Sequence, residues 1–429
     1  MKLIKPKNSN YAAVIAKVNN TMTLDNCDNV HGAIILGNHI IVSKSVKKDD
    51  LGVYFPLESA LSSEYMHNNN LYNKAELNKD VTQKAYFDKN GRVRAQNFRG
   101  HKSEGLFMPL ESLEFTGIDI SKLSIGDEFD QLNGIPICSK YHVPRNRTKQ
   151  PTGQKHSKNK KKHNKIIDTQ FRFHDNTSQL YKNLHNITPG SLISITYKMH
   201  GTSGVSSYVI CNKKLNWYER QLKKLGVNIV DKYYDYVYSS RKVIKSEQDN
   251  PSHYYKEDIW GKAHNILKPF LQKGMSFYYE IVGKLDNGED IQKGYDYGYT
   301  GTNFGIYIYR ITHTNFDGKV YEFSAKQVQE FCKKNGLNPV QQLFYDYASE
   351  LSDERMTSEN WQNKFLETIK EKYNDKNCKM CVNKVPEEGV VIRIDDNLEF
   401  EAYKQKSYRF YQYESKYLDS GNTNIEEEN

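Results

Sequence analysis

Residues 193–208 read ISITYKMHGTSGVSSY and contain the most informative pattern in the chain. Two runs rich in β-branched residues flank a polar turn, which predicts a strand–turn–strand unit with Lys198 at the end of its first strand. A desolvated lysine has a lowered pKa, so its neutral amine can act as a nucleophile, and Gly201 would let the backbone approach a ligand. Taken alone, the stretch is also typical of an ordinary exposed lysine, so its role depends on other parts of the chain.

Composition sets the broad class of the protein. Its 429 residues, 37% of them hydrophobic, are enough for two or three domains, and the net charge of +9 suits a polyanionic partner. No apolar run approaches the roughly 18 residues of a membrane span, and the first residues lack an apolar signal core. Six scattered cysteines favour free thiols, and the CxxC of Cys378 and Cys381 lacks the second ligand pair of a structural zinc site. We therefore expect a monomeric cytoplasmic protein without a membrane partner.

The first 144 residues contain several short strand patterns and one helix. Residues 11–44 alternate as strands do, with a hairpin turn at 37–38, and a second hairpin is predicted around the turn at 90–91. A short helix is predicted over residues 59–72. This pattern predicts a small closed β-barrel of the five-stranded oligonucleotide-binding (OB) type in residues 1–144.

Basic residues cluster on the second predicted hairpin of this barrel, with Phe98 among them. Cations hold phosphates and rings stack on bases, so the cluster is typical of a nucleic-acid-binding face. A charged β-edge that resists aggregation is the alternative interpretation. The candidate nucleic-acid-binding residues are Arg92, Arg94, Arg99 and Lys102.

A basic segment separates this barrel from the rest of the chain. Residues 145–165 contain no acid and almost no apolar residue, which predicts a flexible linker over 145–166. Residues 167–415 show mixed, strand-rich patterns with helices predicted at 254–272, 324–335 and 358–373. Residues 416–429 are predicted to form an acidic tail.

Four other stretches of the second domain contain charged residues that could form an active site together with Lys198. FYYEIVG places Glu280 in an apolar strand, and EGVVIRID places Glu388 at the head of another, where an acid needs a cation, metal or hydroxyl partner. In YKQKS, Lys404 and Lys406 alternate, so on a strand both ammonium groups project from one face. YSSRKV supplies the Arg241 guanidinium, which suits a phosphate. Individually, the acids could be ordinary ion-paired residues and the two lysines a solvated strand face.

The order of these motifs resembles the covalent nucleotidyltransferases, the superfamily of ATP-dependent DNA and RNA ligases and mRNA capping enzymes. The resemblance covers most of residues 170–415. Within the superfamily the sequence is most similar to the Deinococcus-type RNA ligases with an N-terminal OB module. The resemblance implies an α+β protein: an antiparallel-sheet, ATP-grasp-like ligase domain preceded by a small OB-type β-barrel.

Specific roles follow from that resemblance. Lys198 would attack ATP and become lysyl-AMP, Glu388 would hold Mg²⁺, for which Mn²⁺ could substitute, and Glu280 would bind the ribose. Lys404 and Lys406 would contact the α-phosphate. The remaining nucleotide-binding residues would be His200, Gly201, Arg241 and Tyr309, with Tyr309 stacking on adenine and Tyr307 as the alternative ring.

The sequence departs from the family pattern at three positions, where His200, Tyr279 and Arg310 replace Asp, Gly and Asp. We expect an ATP-dependent RNA ligase that acts on nicked RNA-containing duplexes. The alternatives are a DNA ligase or capping guanylyltransferase, which the short stretch after Lys406 disfavours, and an inactive RNA-binding protein on the same scaffold. Removing residues 1–165 is expected to spare adenylylation and impair nick sealing.

Overall fold

The structure, a computed structural model, describes residues 3–143, 165–245, 255, 257–351 and 358–420. Most of the predicted linker and residues 421–429 of the predicted tail lie outside the described residues. Helix α6, Tyr408–Asp419, extends into the predicted tail, so residues 416–419 are helical. Within the described ranges, no helix has the length and apolarity needed to span a bilayer.

The N-terminal module is organised around one ten-residue strand, β1, which pairs with three other strands. The strand order is β3-β2-β1-β4-β8, with β9 also paired to β1. The far edges approach each other, because the Glu104 amide donates to the His39 carbonyl at 2.7 Å, so the sheet nearly closes into a barrel. The elements are β1 Ala13–Met22, β2 Val30–Ile35, β3 Asn38–Ser43, β4 Leu51–Pro56, β5 Ser59–Leu61, α1 Ser63–Asn68, β6 Gln96–Phe98, β7 His101–Ser103, β8 Gly105–Pro109, β9 Glu128–Phe129, β10 Gln131–Leu132, β11 Ile135–Pro136 and β12 Cys138–Lys140.

One of the two predicted hairpins is present and the other is displaced. Strands β2 and β3 form the first hairpin around residues 36–37, whose φ angles of 51° and 70° suit a tight two-residue turn. Residues 90–91 form a turn but no hairpin, because the Arg92 backbone pairs with Ala60 instead. The hairpin of this region is β6–β7, which turns at residues 99–100.

The C-terminal part contains two sheets. A five-stranded sheet has the order β13-β24-β23-β14-β22, and a seven-stranded sheet has the order β17-β16-β15-β18-β19-β20 with β21 on β19. Nearly all pairs are antiparallel. The elements are β13 Ser178–Gln179, β14 Leu192–Tyr197, β15 Thr202–Asn212, α2 Trp217–Lys224, β16 Lys232–Ser240, β17 Ile244–Lys245, α3 Ile259–Leu267, β18 Met275–Gly283, β19 Phe304–Thr314, β20 Val320–Glu322, α4 Ala325–Asn335, β21 Asn338–Pro339, β22 Gln342–Tyr347, α5 Ser358–Tyr373, β23 Gly389–Ile394, β24 Glu401–Lys406 and α6.

The connection between β14 and β15 crosses from one sheet to the other. These strands were predicted to be joined by a turn as one unit, but β14 lies inside the five-stranded sheet and β15 inside the seven-stranded sheet. The Lys198 amide donates to the Gly389 carbonyl at 2.9 Å, which keeps the end of β14 beside β23. A Cβ at Gly201 would lie 2.3 Å from the Ile281 carbonyl oxygen, so glycine is required where the chain joins β18. The crossing places Lys198 between the two sheets.

Strand β1 is buried on both faces. Ala13 and Ile15 belong to the core of the N-terminal module, whereas Val14 and Ala16 belong to a second core. That second core also contains Ile193 of β14 and residues of β23, β24 and α5. The N-terminal module and the five-stranded sheet therefore share one hydrophobic core. The domain boundaries at 144 and 166, next to undescribed residues, stay predictions.

Candidate active site

A cleft between the two sheets contains most of the predicted catalytic side chains. It encloses about 1060 Å³, including space open to solvent. Each wall contributes residues from several strands that are distant in sequence. The predicted site residues that line it are Lys198, Arg241, Glu280, Tyr309, Glu388, Lys404 and Lys406.

Lys198 and Glu388 form the central contact of this cleft. The Lys198 Nζ lies 2.6 Å from Oε1 of Glu388, whose side chain is 1% exposed. Burial opposes ionisation of this carboxyl, but the nearby Lys198, His200 and Lys406 outweigh it and hold its pKa well below the ordinary range of a glutamate. Glu388 is therefore a carboxylate at neutral pH, next to the candidate nucleophile.

The two lysines of β24 lie on the same wall, with their side chains on one face of the strand. Lys406 Nζ lies 3.7 Å from Oε1 of Glu388 and 3.2 Å from Oε2 of Glu414. Burial, followed by repulsion from Lys406 and Lys198, lowers the pKa of Lys404 well below that of an ordinary lysine. This wall therefore presents amines suited to an incoming polyanion.

The opposite wall carries Glu280 and Tyr309. Oε2 of Glu280 accepts a hydrogen bond of 2.9 Å from the Ser203 hydroxyl. The Tyr309 hydroxyl lies 2.6 Å from Nδ1 of His174, whose pKa is lowered well below its usual value by burial and nearby cations. Tyr307 does not belong to the cleft lining. Of the two predicted rings, Tyr309 is therefore the one that lines the cleft.

Segment 174–176, His-Asp-Asn, organises this wall and was not assigned a role from the sequence. His174 contacts Tyr309, Asp175 pairs with Arg310 at 2.8 Å, and Asn176 accepts from Arg241 at 2.6 Å. Three consecutive polar residues after the aromatic FRF are the signal that could have indicated it.

His200 and Gly201 do not line the cleft. His200 lies in a smaller cavity behind it, edge-on to Tyr295 and Phe410, with Nδ1 3.6 Å from Oε2 of Glu388. The structure therefore places His200 outside the cleft lining, and its ribose contact stays a prediction. Gly201 permits the close packing of strands at the crossing, and its ligand contact also stays a prediction.

The other two departures from the family pattern have structural explanations. Tyr279 pairs across the sheet with Gly204, where a Cβ would lie 2.6 Å from the tyrosine ring, and its hydroxyl lies 3.0 Å from that of Ser206. Arg310 pairs with Glu322 at 2.5 Å and lies over the Phe400 ring at 4.1 Å. Both side chains stabilise the wall that carries Glu280.

The basic residues of the N-terminal module are engaged in intramolecular contacts. Arg92 was predicted to face nucleic acid, but its side chain is fully buried and pairs with Glu58 at 2.6 Å and Asp419 at 3.0 Å. That prediction is corrected, because the guanidinium links the module to α6. The other three predicted residues are partly or fully exposed. Arg94 forms ion pairs with Asp88 and Asp419, and Lys102 forms one with Asp375. Arg99 donates a hydrogen bond to the Asn26 carbonyl.

Comparison with known proteins identifies the family of the chain. The RNA ligase family model matches residues 192–410, slightly more than half of the chain and the whole span from Lys198 to Lys406. The chain belongs to the RNA ligase family. A search of curated proteins gave no significant match.

Solved structures of RNA ligase from Naegleria gruberi share the fold. A mutant of that ligase solved with ATP and manganese is 16% identical, with a TM-score of 0.57, and the alignment covers 94% of this chain and 98% of the other. The same ligase solved with pyrophosphate is 17% identical, with the same TM-score and coverage. These likenesses extend over the N-terminal module as well as the two ligase sheets.

Proposed function

We propose that the protein is an ATP-dependent RNA ligase that joins a 3′-hydroxyl end to a 5′-phosphate end at nicks in RNA-containing duplexes. The observation that carries the proposal is the Lys198 amine, 2.6 Å from a buried carboxylate in a cleft that Lys404 and Lys406 also line. Family membership and the solved ligase with bound ATP support it.

The first chemical step would load AMP onto Lys198. The Lys198 ammonium first gives up a proton to solvent. Its amine then forms a bond to the α-phosphorus of ATP and loses a second proton, while the bond to the bridging oxygen breaks and pyrophosphate leaves. Lys404 and Lys406 lie where ammonium groups can offset charge on the non-bridging oxygens. A 5′-phosphate oxygen then takes the AMP from Lys198, and the 3′-hydroxyl displaces AMP to form the phosphodiester.

A divalent cation, Mg²⁺ or Mn²⁺, fits the site through Glu388. The buried carboxylate is ionised and lies 2.6, 3.6 and 3.7 Å from nitrogens of Lys198, His200 and Lys406, so it can offer anionic oxygens to a cation. Among the described residues, no group of three or more acids, histidines or cysteines forms a protein cage for a metal. Mg²⁺ is commonly bound by one or two carboxylates, substrate phosphates and waters, which matches this donor set. When bound, it would polarise the phosphates that the lysines also contact.

The nucleophile can be tested directly. The parent protein, incubated with α-labelled ATP and Mg²⁺, should retain label through denaturing gel electrophoresis, and Lys198→Ala should retain none. Lys319→Ala, which removes an exposed lysine outside the cleft, is the matched control and should label like the parent. Label on Lys198→Ala would disprove the assignment.

The substrate needs a second experiment. Nicked duplexes that differ only in the sugar at the 3′ side should be sealed best when that sugar is ribose. Labelling by GTP in place of ATP would favour a capping guanylyltransferase. We further propose a monomer in the cytoplasm, which suits the six free cysteines.

A further inference from the structure

A helical finger projects from the seven-stranded sheet between β15 and β16. We call residues 213–232 the α2 finger. Its base is closed by a 2.7 Å hydrogen bond from the Lys213 amide to the Asp231 carbonyl. Asn216 and Glu219 form a capping box at the start of α2. Local hydrogen bonds therefore order the finger without a core of its own.

The finger exposes an unusual concentration of apolar side chains. None of residues 212–236 is buried. Trp217 is 69% exposed, Tyr218 65%, Leu225 79% and Val230 75%. Single exposed apolar residues are common, but several within one short segment are typical of an interaction surface. Two of these side chains are adjacent aromatic rings.

The same finger is positively charged. Residues 213–232 contain six lysines or arginines and two acids, which leaves a net charge of +4. Both acids are paired, Glu219 with Lys213 and Asp231 with Lys223. The remaining cations form no ion pair with an acid that the structure describes: Lys214, Arg220, Lys224 and Lys232. Exposed rings among unpaired cations are complementary to a polyanion that carries stacking groups.

The finger is connected to the candidate active site by β15. This strand begins at Thr202, four residues after Lys198, and ends at Asn212, so at roughly 3.3 Å per residue the finger lies about 35 Å away along the strand. The Asn212 amide donates to the Lys165 carbonyl at 2.8 Å. Lys165, the last residue of the acid-free sequence 145–165, therefore lies at the base of the finger.

We propose that the α2 finger binds a single-stranded RNA segment that flanks the strand end in the cleft. Trp217 and Tyr218 stack on unpaired bases, and the unpaired cations hold phosphates. A duplex would offer its backbone to the cations but keep its bases inaccessible to the rings. The proposal rests on the proposed function, because it specifies which part of an RNA substrate lies outside the cleft.

Tryptophan fluorescence provides a direct test. Trp217 is the exposed member of the three tryptophans, since Trp260 and Trp361 are 0% and 2% exposed. Titration of the full-length protein with a 20-nucleotide single-stranded RNA should quench its emission. Trp217→Phe should lose the quenching but keep affinity, because phenylalanine still stacks. Trp217→Ala should weaken binding about tenfold, measured by fluorescence anisotropy of a labelled RNA.

Matched variants separate stacking, charge and fold. Phe316→Ala removes a ring that is 72% exposed outside the finger and should bind RNA like the parent. Replacing Lys214, Arg220 and Lys224 by alanine should reduce the slope of log affinity against log salt by about 0.7 for each phosphate that these cations no longer neutralise. All finger variants should accept label from ATP like the parent.

Three results would overturn the proposal. The first is RNA binding by anisotropy without any change in Trp217 emission. The second is quenching by anionic lipid vesicles but not by RNA, which would indicate a membrane surface. The third is self-association that Trp217→Ala abolishes, which would indicate an interface between copies. Failure of the parent to take label from ATP would instead count against the proposed function.

Discussion

Lys406 and Glu414 form a buried ion pair, 3.2 Å from Nζ to Oε2, that joins the cleft to helix α6. Burial opposes the charge on Glu414, but Lys406 outweighs it and lowers the pKa of that carboxyl. The next residue, Ser415, donates to Oε1 of Glu58 in the N-terminal module. Helix α6 therefore connects a cleft lysine to the first module through consecutive residues.

Glu414→Gln should slow adenylylation of Lys198, because it changes the position of Lys406. Without the Glu414 charge, Lys406 would be drawn toward Glu388 and would compete with Lys198 for that carboxylate. We expect the rate of label transfer from ATP to fall about tenfold, the equivalent of about 1.4 kcal/mol, with a lower kcat and a smaller change in KM. Glu367→Gln, an exposed change on α5, is the control. An unchanged rate in a folded Glu414→Gln protein would remove Glu414 as a positioning residue.

Arg92→Ala should destabilise the fold and not simply weaken RNA binding. Removing the guanidinium leaves the 7% exposed Glu58 side chain without its charge partner, which typically costs about 3–5 kcal/mol. Arg94 is 31% exposed and its ion pairs are weaker, so Arg94→Ala should lower the free energy of unfolding by at most about 1 kcal/mol. Denaturant unfolding would measure both. Equal stability of the two variants, with RNA affinity lost in Arg92→Ala, would restore the role predicted from the sequence.

ATP binding should be linked to proton uptake at Lys404. Burial and neighbouring cations lower its pKa, so more of this amine is neutral than in an ordinary lysine. A bound triphosphate favours the charged form and raises the pKa again, so the site takes up protons and affinity falls as pH rises through the free-state pKa. Calorimetry in buffers of different ionisation enthalpy would detect the uptake.

Lys404→Arg is the matched control for this linkage. Arginine keeps the positive charge but does not titrate near neutral pH, so the proton uptake should disappear. Identical uptake in the parent and in Lys404→Arg would place the titrating group elsewhere in the cleft.

The motifs of the candidate site could be predicted because each places a charged residue in or beside an otherwise apolar strand. Lys198, Glu280, Glu388 and the two β24 lysines all lie at the cleft. The crossing of the chain from one sheet to the other at Gly201 could not be predicted. Alternation of apolar and polar residues indicates that a segment is a strand, but it does not indicate which sheet that strand joins. His200 illustrates the same limit. Met199 lines the cleft, whereas the side chain of the next residue, His200, lines the smaller cavity.

The N-terminal module shows a different limit of sequence patterns. Residues 11–18 read YAAVIAKV, a nearly continuous apolar run that indicates burial on both faces of a strand. A small independent barrel needs apolar residues on one face, so this run was a signal of the shared core. Arg92 was predicted as a surface residue because its partners, the buried Glu58 and the partly exposed Asp419, are 34 and 327 residues away.

Removal of residues 1–165 should abolish adenylylation, in contrast to the expectation from the sequence. Val14 and Ala16 of β1 belong to the same hydrophobic core as Ile193 and Ile392 of the five-stranded sheet, so truncation would expose a core that both parts share. We expect the fragment to aggregate or unfold at lower temperature and to take no label from ATP. The control replaces residues 146–163 with a Gly/Ser sequence of equal length, which keeps both parts and should label normally. A monomeric fragment that labels like the parent would show that the five-stranded sheet is stable without β1.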